Sequence, residues 1–293
     1  MTCGFLVLDK PAGLSSHSCV SRVRRVYGLK RVGHGGTLDP AVTGVLPIAL
    51  GAATRLLPYL EGDKTYRGVV QLGLTTSTDD LEGEVLTRQQ LPNGLDQAQL
   101  EQALTAFRGS IEQVPPQVSA VHVNGQRAYQ RVRRGETLTL AARRVQIDHL
   151  ELLGWDPRQS QLELEVRCSA GTYIRALARD LGAALGCGGA LASLRRTAAL
   201  GFRLEQAVRL EALESTTPPV LLDPLEALQH LPQQQLSTAQ LADWRCGRQL
   251  QASSPWPDGQ SVVITGPQGT WAGIAVASGG EQLQPKLVKD AAG

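Results

Sequence analysis

The 293-residue sequence lacks the short signatures of several common chemistries. It contains no G-x-x-x-x-G-K-[ST], no H-E-x-x-H and no G-x-S-x-G, and Gly33, Gly35 and Gly36 do not complete a G-x-G-x-x-G, which demotes nucleotide hydrolysis, zinc hydrolysis and nicotinamide chemistry. Its five cysteines (Cys3, Cys19, Cys168, Cys187, Cys246) are odd in number, scattered and free of any C-x-x-C pair, against both a disulfide framework and a zinc site. A reducing interior is the simpler setting. The five histidines (His17, His34, His122, His149, His230) have no metal-ligand spacing. No apolar run approaches the ~20 residues that a membrane span needs. The most apolar window, 41–60, is broken by Gly44, Pro47, Gly51 and Pro58 and carries Arg55. The first apolar run ends at Asp9 and Lys10 with no basic segment before it, unlike a secretory signal. These absences predict a soluble, cytoplasmic protein that makes no membrane contact.

A chain of this length allows one large domain, or one large and one small, with a core that needs no disulfide. The net charge of +2 hides an asymmetry: residues 1–204 carry 24 basic and 18 acidic side chains, residues 205–293 carry 5 and 9. Any surface for an anionic partner belongs to the first two-thirds.

Residues 5–8 read as a strand and Lys10-Pro11-Ala12-Gly13 as a turn, after which Ser15 or Ser16 can cap a helix with apolar Val20, Val23 and Tyr27. The loop Gly33-His34-Gly35-Gly36-Thr37-Leu38-Asp39-Pro40 is followed by the apolar window and by a strand over 66–74. Asp96 and Gln99 resemble a capping box for a helix through Leu100, Ala103, Leu104 and Phe107. Residues 162–168 alternate as a half-buried strand, and Gly171-Thr172-Tyr173-Ile174-Arg175 leads into a helix that Gly186 can end. The composition changes near Thr216, and beyond Gln233 a short helix over 238–246 and a hairpin around Gly266-Pro267-Gln268-Gly269 form a small β-rich module.

Two stretches gather arginine. Residues 22–31 hold five basic side chains and no acid; residues 124–144 hold Arg127, Arg131, Arg133, Arg134, Arg143 and Arg144 against Glu136 alone, with Tyr129 among them. Guanidinium forks suit phosphate oxygens, although either run also fits a solvated face. Asp39 is the most suggestive acid, because the following proline keeps it out of the helical region and the glycines before it permit close backbone approach. Asp-Pro is equally an ordinary helix start, with Asp as the N-cap. His34 reads as a loop hydrogen-bonder or a base, Arg175 as a surface charge or a functional one, and Asp79, Asp80 and Glu82 as a solvated turn rather than a calcium loop.

In order and spacing, these segments resemble one family. Asp9-Lys10-Pro11-Ala12-Gly13-Leu14-Ser15-Ser16, the 33–40 loop with Gly44-Val45-Leu46-Pro47, Asp63-Lys64-Thr65-Tyr66-Arg67, Cys168-Ser169-Ala170-Gly171-Thr172-Tyr173-Ile174-Arg175 and Leu194-Arg195-Arg196 look like motifs of the TruB-type tRNA pseudouridine synthases. The likeness spans about 3–215, and 233–293 resembles an RNA-binding PUA domain. The resemblance implies isomerisation of uridine to pseudouridine in the T-loop of tRNA, at the position conventionally numbered 55, without cofactor or metal. It assigns Asp39 as the nucleophilic carboxylate, Tyr66 as the ring that stacks on the uracil and Arg175 as the group that holds a buried Asp39 ionised. His34, Lys10, Asp80 and Tyr173 fall at the substrate, and Arg131, Arg134 and Arg143 are expected to grip RNA.

The expected fold is α+β: a mixed, mainly antiparallel central sheet with flanking helices, plus a small C-terminal β-barrel-like PUA domain. The catalytic domain is set at 1–215, with 124–144 as an RNA-clamping arm, and the PUA-like domain at 233–293. The tail's acidity leaves Arg245, Arg248, Lys286 and Lys289 as its local cations, or leaves it a fold-completing module. The partner implied is the tRNA T-arm, engaged by a monomer with no obligatory protein partner. Two rival readings are a tRNA-folding chaperone in which Asp39 only caps a helix, and a guide-dependent relative inside an RNA-protein particle.

Overall fold

The computed structural model describes residues 2–119, 121–123, 125–213, 215 and 217–290. Asn124, the first residue of the arginine-rich arm, and Thr216, where the composition changes, lie outside the described residues.

Strand β1 (Gly4–Lys10) is apolar on both faces because both are covered: Leu6 and Leu8 join the core beneath the helices, while Phe5 and Val7 face the other way. Helix α1 (Ser16–Tyr27) is capped by Ser15, whose hydroxyl accepts from the Ser18 N–H, and ends at Gly28 in the left-handed conformation. Ser16 sits inside the first turn instead, its hydroxyl accepting from Leu38 N and donating to Leu38 O. Strands β2 (Val32–His34), β3 (Thr43–Leu50) and β4 (Lys64–Leu72) follow, a 3₁₀ turn over Gly51–Tyr59 joining the last two. Gly73, at φ +87°, stops β4 short of the expected 74, and Leu74–Thr76 pairs instead with Val85–Arg88 in a separate hairpin.

The main sheet has ten strands. From one edge its order is Val208–Arg209, β1, β3, Gly189–Ala199, β4, Gln161–Cys168, Arg143–Asp156 and Gly109–Gln113, with β2 and Phe202–Arg203 attached to the sides. Most pairings are antiparallel, but β3 meets the Gly189–Ala199 strand in parallel through only two pairs, Thr43 with Arg195 and Gly44 with Arg196. At this short seam the two halves of the sheet join. Helix α2 (Gln97–Thr105) has the expected Asp96–Gln99 capping box and buries Leu100 and Leu104. The arginine-rich arm is a small hairpin, His122–Val123 with Gln126–Arg127, leading into α3 (Ala128–Val132). Helix α4 (Ile174–Ala184) lies on the same face as α1 and α2, burying Leu177, Ala178 and Leu181.

The tail forms a five-stranded sheet curled as a half-barrel, in which the expected hairpin is Ser261–Thr265 with Trp271–Ser278. Its Val263, Ile274 and Leu287 pack against Phe5, Val7 and Ala49 on the face of β1 and β3 away from the helices. Arg55 donates to the Val288 carbonyl at 3.0 Å across the same contact. No helix among the described residues is long and apolar enough to cross a membrane.

Gly44 is the tightest point of the seam. Its φ is +104°, and a β-carbon there would lie 2.1 Å from the Arg196 carbonyl oxygen. Gly44→Ala is therefore expected to destabilise the fold by roughly 3 kcal/mol or more, read as a lowered denaturation midpoint in urea.

Candidate active site

The loop between β2 and β3 is fixed at several points before it presents any side chain. Gly35 N–H donates to the Pro47 carbonyl at 2.8 Å, and Gly36 turns the chain at φ +85°. Arg196, fully buried, donates from Nε to Val45 O at 2.8 Å and from Nη2 to Gly36 O at 3.0 Å. Ser16 holds Leu38, as described, and Gly13 N–H donates to Pro40 O at 2.9 Å. Lys10, also fully buried, donates to the carbonyls of Pro11 (2.8 Å), Leu14 (2.6 Å) and Pro40 (3.0 Å). Those three bonds use every donor of its ammonium, so the structure places Lys10 beneath the loop as a tie between two turns and not in the cleft.

Asp39 does not cap a helix. Its carbonyl accepts from Val42 N–H at 3.1 Å, closing a turn that runs straight into β3. Its carboxylate meets Arg175, Oδ2 to Nη2 at 2.9 Å. The burial is the reverse of the expectation: the arginine side chain is 8% exposed and the carboxylate 47%, because the guanidinium reaches up from the first turn of α4 while Asp39 faces the cleft. Arg175 is therefore not a surface charge. It also donates to the carbonyls of Thr78 and Val118, each at 2.9 Å, and lies 3.6 Å from Asp80 Oδ2. The 77–84 turn is solvated only in part: Glu82 is exposed, but Asp79 is ion-paired with Arg179 at 2.9 Å, and Asp80 accepts from the Thr78 hydroxyl and from Glu82 N–H.

A pocket of about 200 Å³ opens beside the Asp39–Arg175 pair. Tyr66, Val42, Ile174, Leu191 and Leu194 supply its apolar walls, and Lys64, Thr172 and Tyr173 complete the rim. Its volume is below that of sites for drug-sized ligands and suits a single small ring. Tyr66 is 7% exposed and pairs in register with Arg196, which in turn pairs with Gly44, so tyrosine, arginine and glycine form one rung across three strands. Burial pushes the Tyr66 phenol up from its ordinary value, and the Arg196 charge pulls it partly back. Burial, and then Arg196, lower the Lys64 ammonium; burial likewise lowers His34. Cys168, whose sulfur contacts the Lys64 carbonyl, is raised by burial to about 11, which keeps it a thiol and not a nucleophile.

The pocket continues into a groove of about 860 Å³ that holds His34, His17 and Asp80 on one side and Arg127, Tyr129 and Arg133 on the other. Arg133 stacks over Tyr129 with 5.5 Å from guanidinium carbon to ring centre. The structure thus brings Asp39, Tyr66, Arg175, Tyr173, His34 and Asp80 together, but not the three expected arginines. Arg131 is ion-paired with Glu136 and shares a separate depression with Arg134, while Arg143 opens the strand next to the sheet's edge, opposite Gln113 of the edge strand. Sequence reading gave no role to Lys64 or Arg196, and from the six arginines of the arm it singled out Arg131, Arg134 and Arg143 rather than Arg127 and Arg133. Helical spacing offered one signal, since Arg133 stands four residues after Tyr129.

On the opposite face of the sheet, His149, Glu151 and Glu165 come within 4.8 Å of one another across two strands that no sequence spacing would join. Arg67 already pairs with Glu165 at 2.8 Å.

Residues 24–174 match the model for the N-terminal domain of the TruB family pseudouridylate synthases. The chain belongs to the TruB family. Residues 175–228 match the tRNA pseudouridylate synthase B C-terminal domain and 232–288 the C-terminal domain of pseudouridine synthase II TruB. A curated relative from Parasynechococcus marenigrum (strain WH8102), named tRNA pseudouridine synthase B, is 64% identical over 99% of this chain and 98% of its own length. One of the same name from Synechococcus sp. (strain WH7803) is 60% identical with the same coverage. Among solved structures, the chain resembles one from an H/ACA RNP bound to a substrate RNA containing 2′-deoxyuridine, with a TM-score of 0.73, 24% identity and coverage of 97% of this chain and 84% of that one. A chain of a Cbf5-Nop10-Gar1 complex gives a TM-score of 0.70 at 24% identity, covering 98% and 84%. At that identity these likenesses establish the fold. Membership of the TruB family makes the chain a pseudouridine synthase, an isomerase.

If Lys10 is a tie beneath the TruB loop, Lys10→Met removes the ammonium donor from the Pro11 and Leu14 carbonyls and leaves Pro40 O with the Gly13 N–H alone. Equilibrium unfolding in guanidinium is expected to show a loss of about 2–4 kcal/mol.

Proposed function

We propose that the protein converts uridine to pseudouridine in the T-loop of tRNA, at position 55, by flipping the nucleotide into the pocket beside Asp39. The observation that carries this reading is the half-exposed Asp39 carboxylate held at 2.9 Å by a buried arginine, next to a ring-sized pocket walled by Tyr66. Extruding a base from its stack costs a few kcal/mol, and stacking on an aromatic side chain contributes ~1–3 kcal/mol in return. Tyr66 fills that role and Tyr173 borders the same space. His34 and Asp80 face the wider groove, where the displaced nucleotide's neighbours lie.

Asp39 is the reacting group. An ionised carboxylate can trap an electron-poor sugar carbon or pyrimidine C6, or take the 2′ proton, and each route requires the negative charge that Arg175 favours. The N1–C1′ bond breaks, the uracil turns within the pocket, and C5 joins C1′; no cofactor takes part in this scheme.

RNA helices are gripped through shape and phosphates. Arg127 and Arg133 line the groove continuous with the pocket and are the better-placed phosphate contacts of the 124–144 arm; Arg131, Arg134 and Arg143 lie farther along the RNA path. We divide the chain into a catalytic body, 1–215, and a PUA-like module, 233–293. The module's packing on β1 and β3 supports a role in completing the fold. The enzyme acts in the cytoplasm as a monomer on bare tRNA, a reading supported by the full-length likeness to proteins named tRNA pseudouridine synthase B.

The test is incubation of purified protein with an unmodified T-arm hairpin and mapping of pseudouridine, with the target uridine replaced by cytidine as control. Asp39→Asn is expected to bind the hairpin within about three-fold of wild type and to abolish tritium release from 5-tritiated uridine. Substantial turnover by that variant would refute the assignment. A helix-capping role predicts near-silence for the same change, and failure of the wild type on bare hairpin would favour a guide-dependent relative.

Arg127→Ala and Arg133→Ala are each expected to reduce the slope of log affinity against log salt by about 1. Arg131→Ala is expected to change it less, since Glu136 already neutralises that charge. Filter binding across a salt series reads both.

A further inference from the structure

Lys64 and Arg196 lie in two of the sequence motifs, yet the scheme above uses neither. Lys64 opens β4, and Arg196 stands on the neighbouring strand opposite Tyr66. A β-carbon at Gly36 would lie 3.4 Å from Arg196 Nη1 and 3.5 Å from Lys64 Nζ, so two cationic nitrogens converge on one spot under the Asp39 loop. Arg196 is fully buried; its Nε and Nη2 donate to carbonyls, its charge also acts on the neighbouring Tyr66 phenol, and Nη1 makes no hydrogen bond of ordinary geometry. Among the described residues neither cation is paired with a carboxylate. Converging like charges without a counter-ion are unfavourable, and burial adds to the cost. An electron-rich ligand atom would relieve both.

Lys64 lines the same pocket as Asp39 and Tyr66, with Val42, Ile174, Leu191 and Leu194 as apolar walls and Thr37, Ser119, Thr172 and Arg175 as polar ones. A hydrated phosphate needs room for its water, which the groove of Arg127 and Arg133 offers with about 860 Å³ against about 200 Å³ in this pocket. A ring carbonyl oxygen needs one or two donors.

On the reading that a uridine is flipped here, we propose that Lys64, backed by Arg196, binds a carbonyl oxygen of the flipped pyrimidine and stabilises the negative charge that gathers on the ring as the N1–C1′ bond breaks. Both electrons of that bond stay on the pyrimidine, shared between N1, the adjacent carbonyl oxygen and C5. Lys64 holds the oxygen by hydrogen bonding and transfers no proton. The pair then forms the C5–C1′ bond, the C5 proton leaves to water, and N1 takes up a proton, so the lysine ends unchanged. A fixed cation aimed at developing charge typically contributes about 10²–10³ in rate.

The experiment compares wild type, Lys64→Met and Lys64→Arg in the full chain on two T-arm hairpins, one with uridine and one with 5-fluorouridine at the target. Fluorine withdraws electrons and makes the pyrimidine a better leaving group, so it lessens the need for a cation. Single-turnover loss of the N1-linked nucleoside is the rate, and filter binding gives Kd. Lys64→Met is expected to keep Kd within about three-fold and to lose about 100-fold in rate on uridine but about 10-fold or less on 5-fluorouridine. Lys64→Arg, which keeps the charge, is expected to recover most of the uridine rate. A Lys64→Met rate within three-fold of wild type overturns the inference. So does weaker RNA binding at unchanged rate, the mark of a phosphate contact, and so do equal losses on both hairpins, the mark of a structural role. If Lys64→Met lacks a cooperative melt, Lys64→Gln takes its place with the same expected pattern. A wild type inert on uridine would overturn the proposed function itself, a result distinct from each of these.

Discussion

An arginine side chain does not lose its proton in a protein, so a buried one obliges the fold to bring oxygen atoms to it. Two such side chains organise this molecule. Arg196 gathers the carbonyls of Gly36 and Val45, which sets the path of the chain on either side of Asp39. Arg175 gathers Thr78, Val118, Asp39 and Asp80, which come from three segments distant in sequence. Removing either charge would take a donor from two carbonyls at once, those of Gly36 and Val45 flanking the Asp39 loop or those of Thr78 and Val118 in the adjoining groove. The same two arginines that hold the loop thus frame the pocket in which we place the chemistry.

The sheet explains why these groups can meet. β3 and the Gly189–Ala199 strand touch through two residue pairs only, and above that short contact they diverge. The Asp39 loop leads into the seam through β3, and Tyr66 stands on the seam's own rung, one strand beyond Arg196. A side chain at Gly44 would force the strands apart at the one place where they must be close. Behind the seam, the tail sheet covers Phe5, Val7 and Ala49, so the half of the sheet that carries the loop is packed on both faces. Rigidity at the seam, rather than a lid, positions the carboxylate.

Periodicity carried most of the fold. The alternation over Gln161–Cys168, the Asp96 capping box and the Gly266–Gly269 hairpin are local signals, and local hydrogen bonds decide them. Asp39, Tyr66 and Arg175 were legible through motif order, but their burial was not. Whether an arginine is a surface charge or a buried hub depends on Thr78 and Val118, distant carbonyls that no spacing announces. The same holds for Lys10, whose ammonium reads as an RNA contact in sequence and is enclosed by Pro11, Leu14 and Pro40 in space. Among the arm arginines, sequence counts charges, whereas the groove selects by helix phase and by which partner is already neutralised, as Glu136 does Arg131. Arg195 and Arg196 make the point most sharply: adjacent in a strand, they face opposite sides, one to Asp9 and the other to the site.

The local balance of charge bears on how such a pocket works. Lys64 and Arg175 line the ring-sized cavity with Asp39, Arg196 lies behind Lys64 under the loop, Asp80 faces the adjoining groove, and among the described residues Arg175 is the one of these cations ion-paired with the acids. The free site therefore carries cationic charge that its own residues do not satisfy. That excess is a cost in the unliganded fold and becomes an attraction when an electron-rich ligand arrives, so in the proposed scheme binding and catalysis draw on the same imbalance. A neutral pocket of identical shape would fold more readily and hold a flat ring equally well by stacking. It would not distinguish the ring before bond cleavage from the more negative ring after it, and that difference is what lowers a barrier.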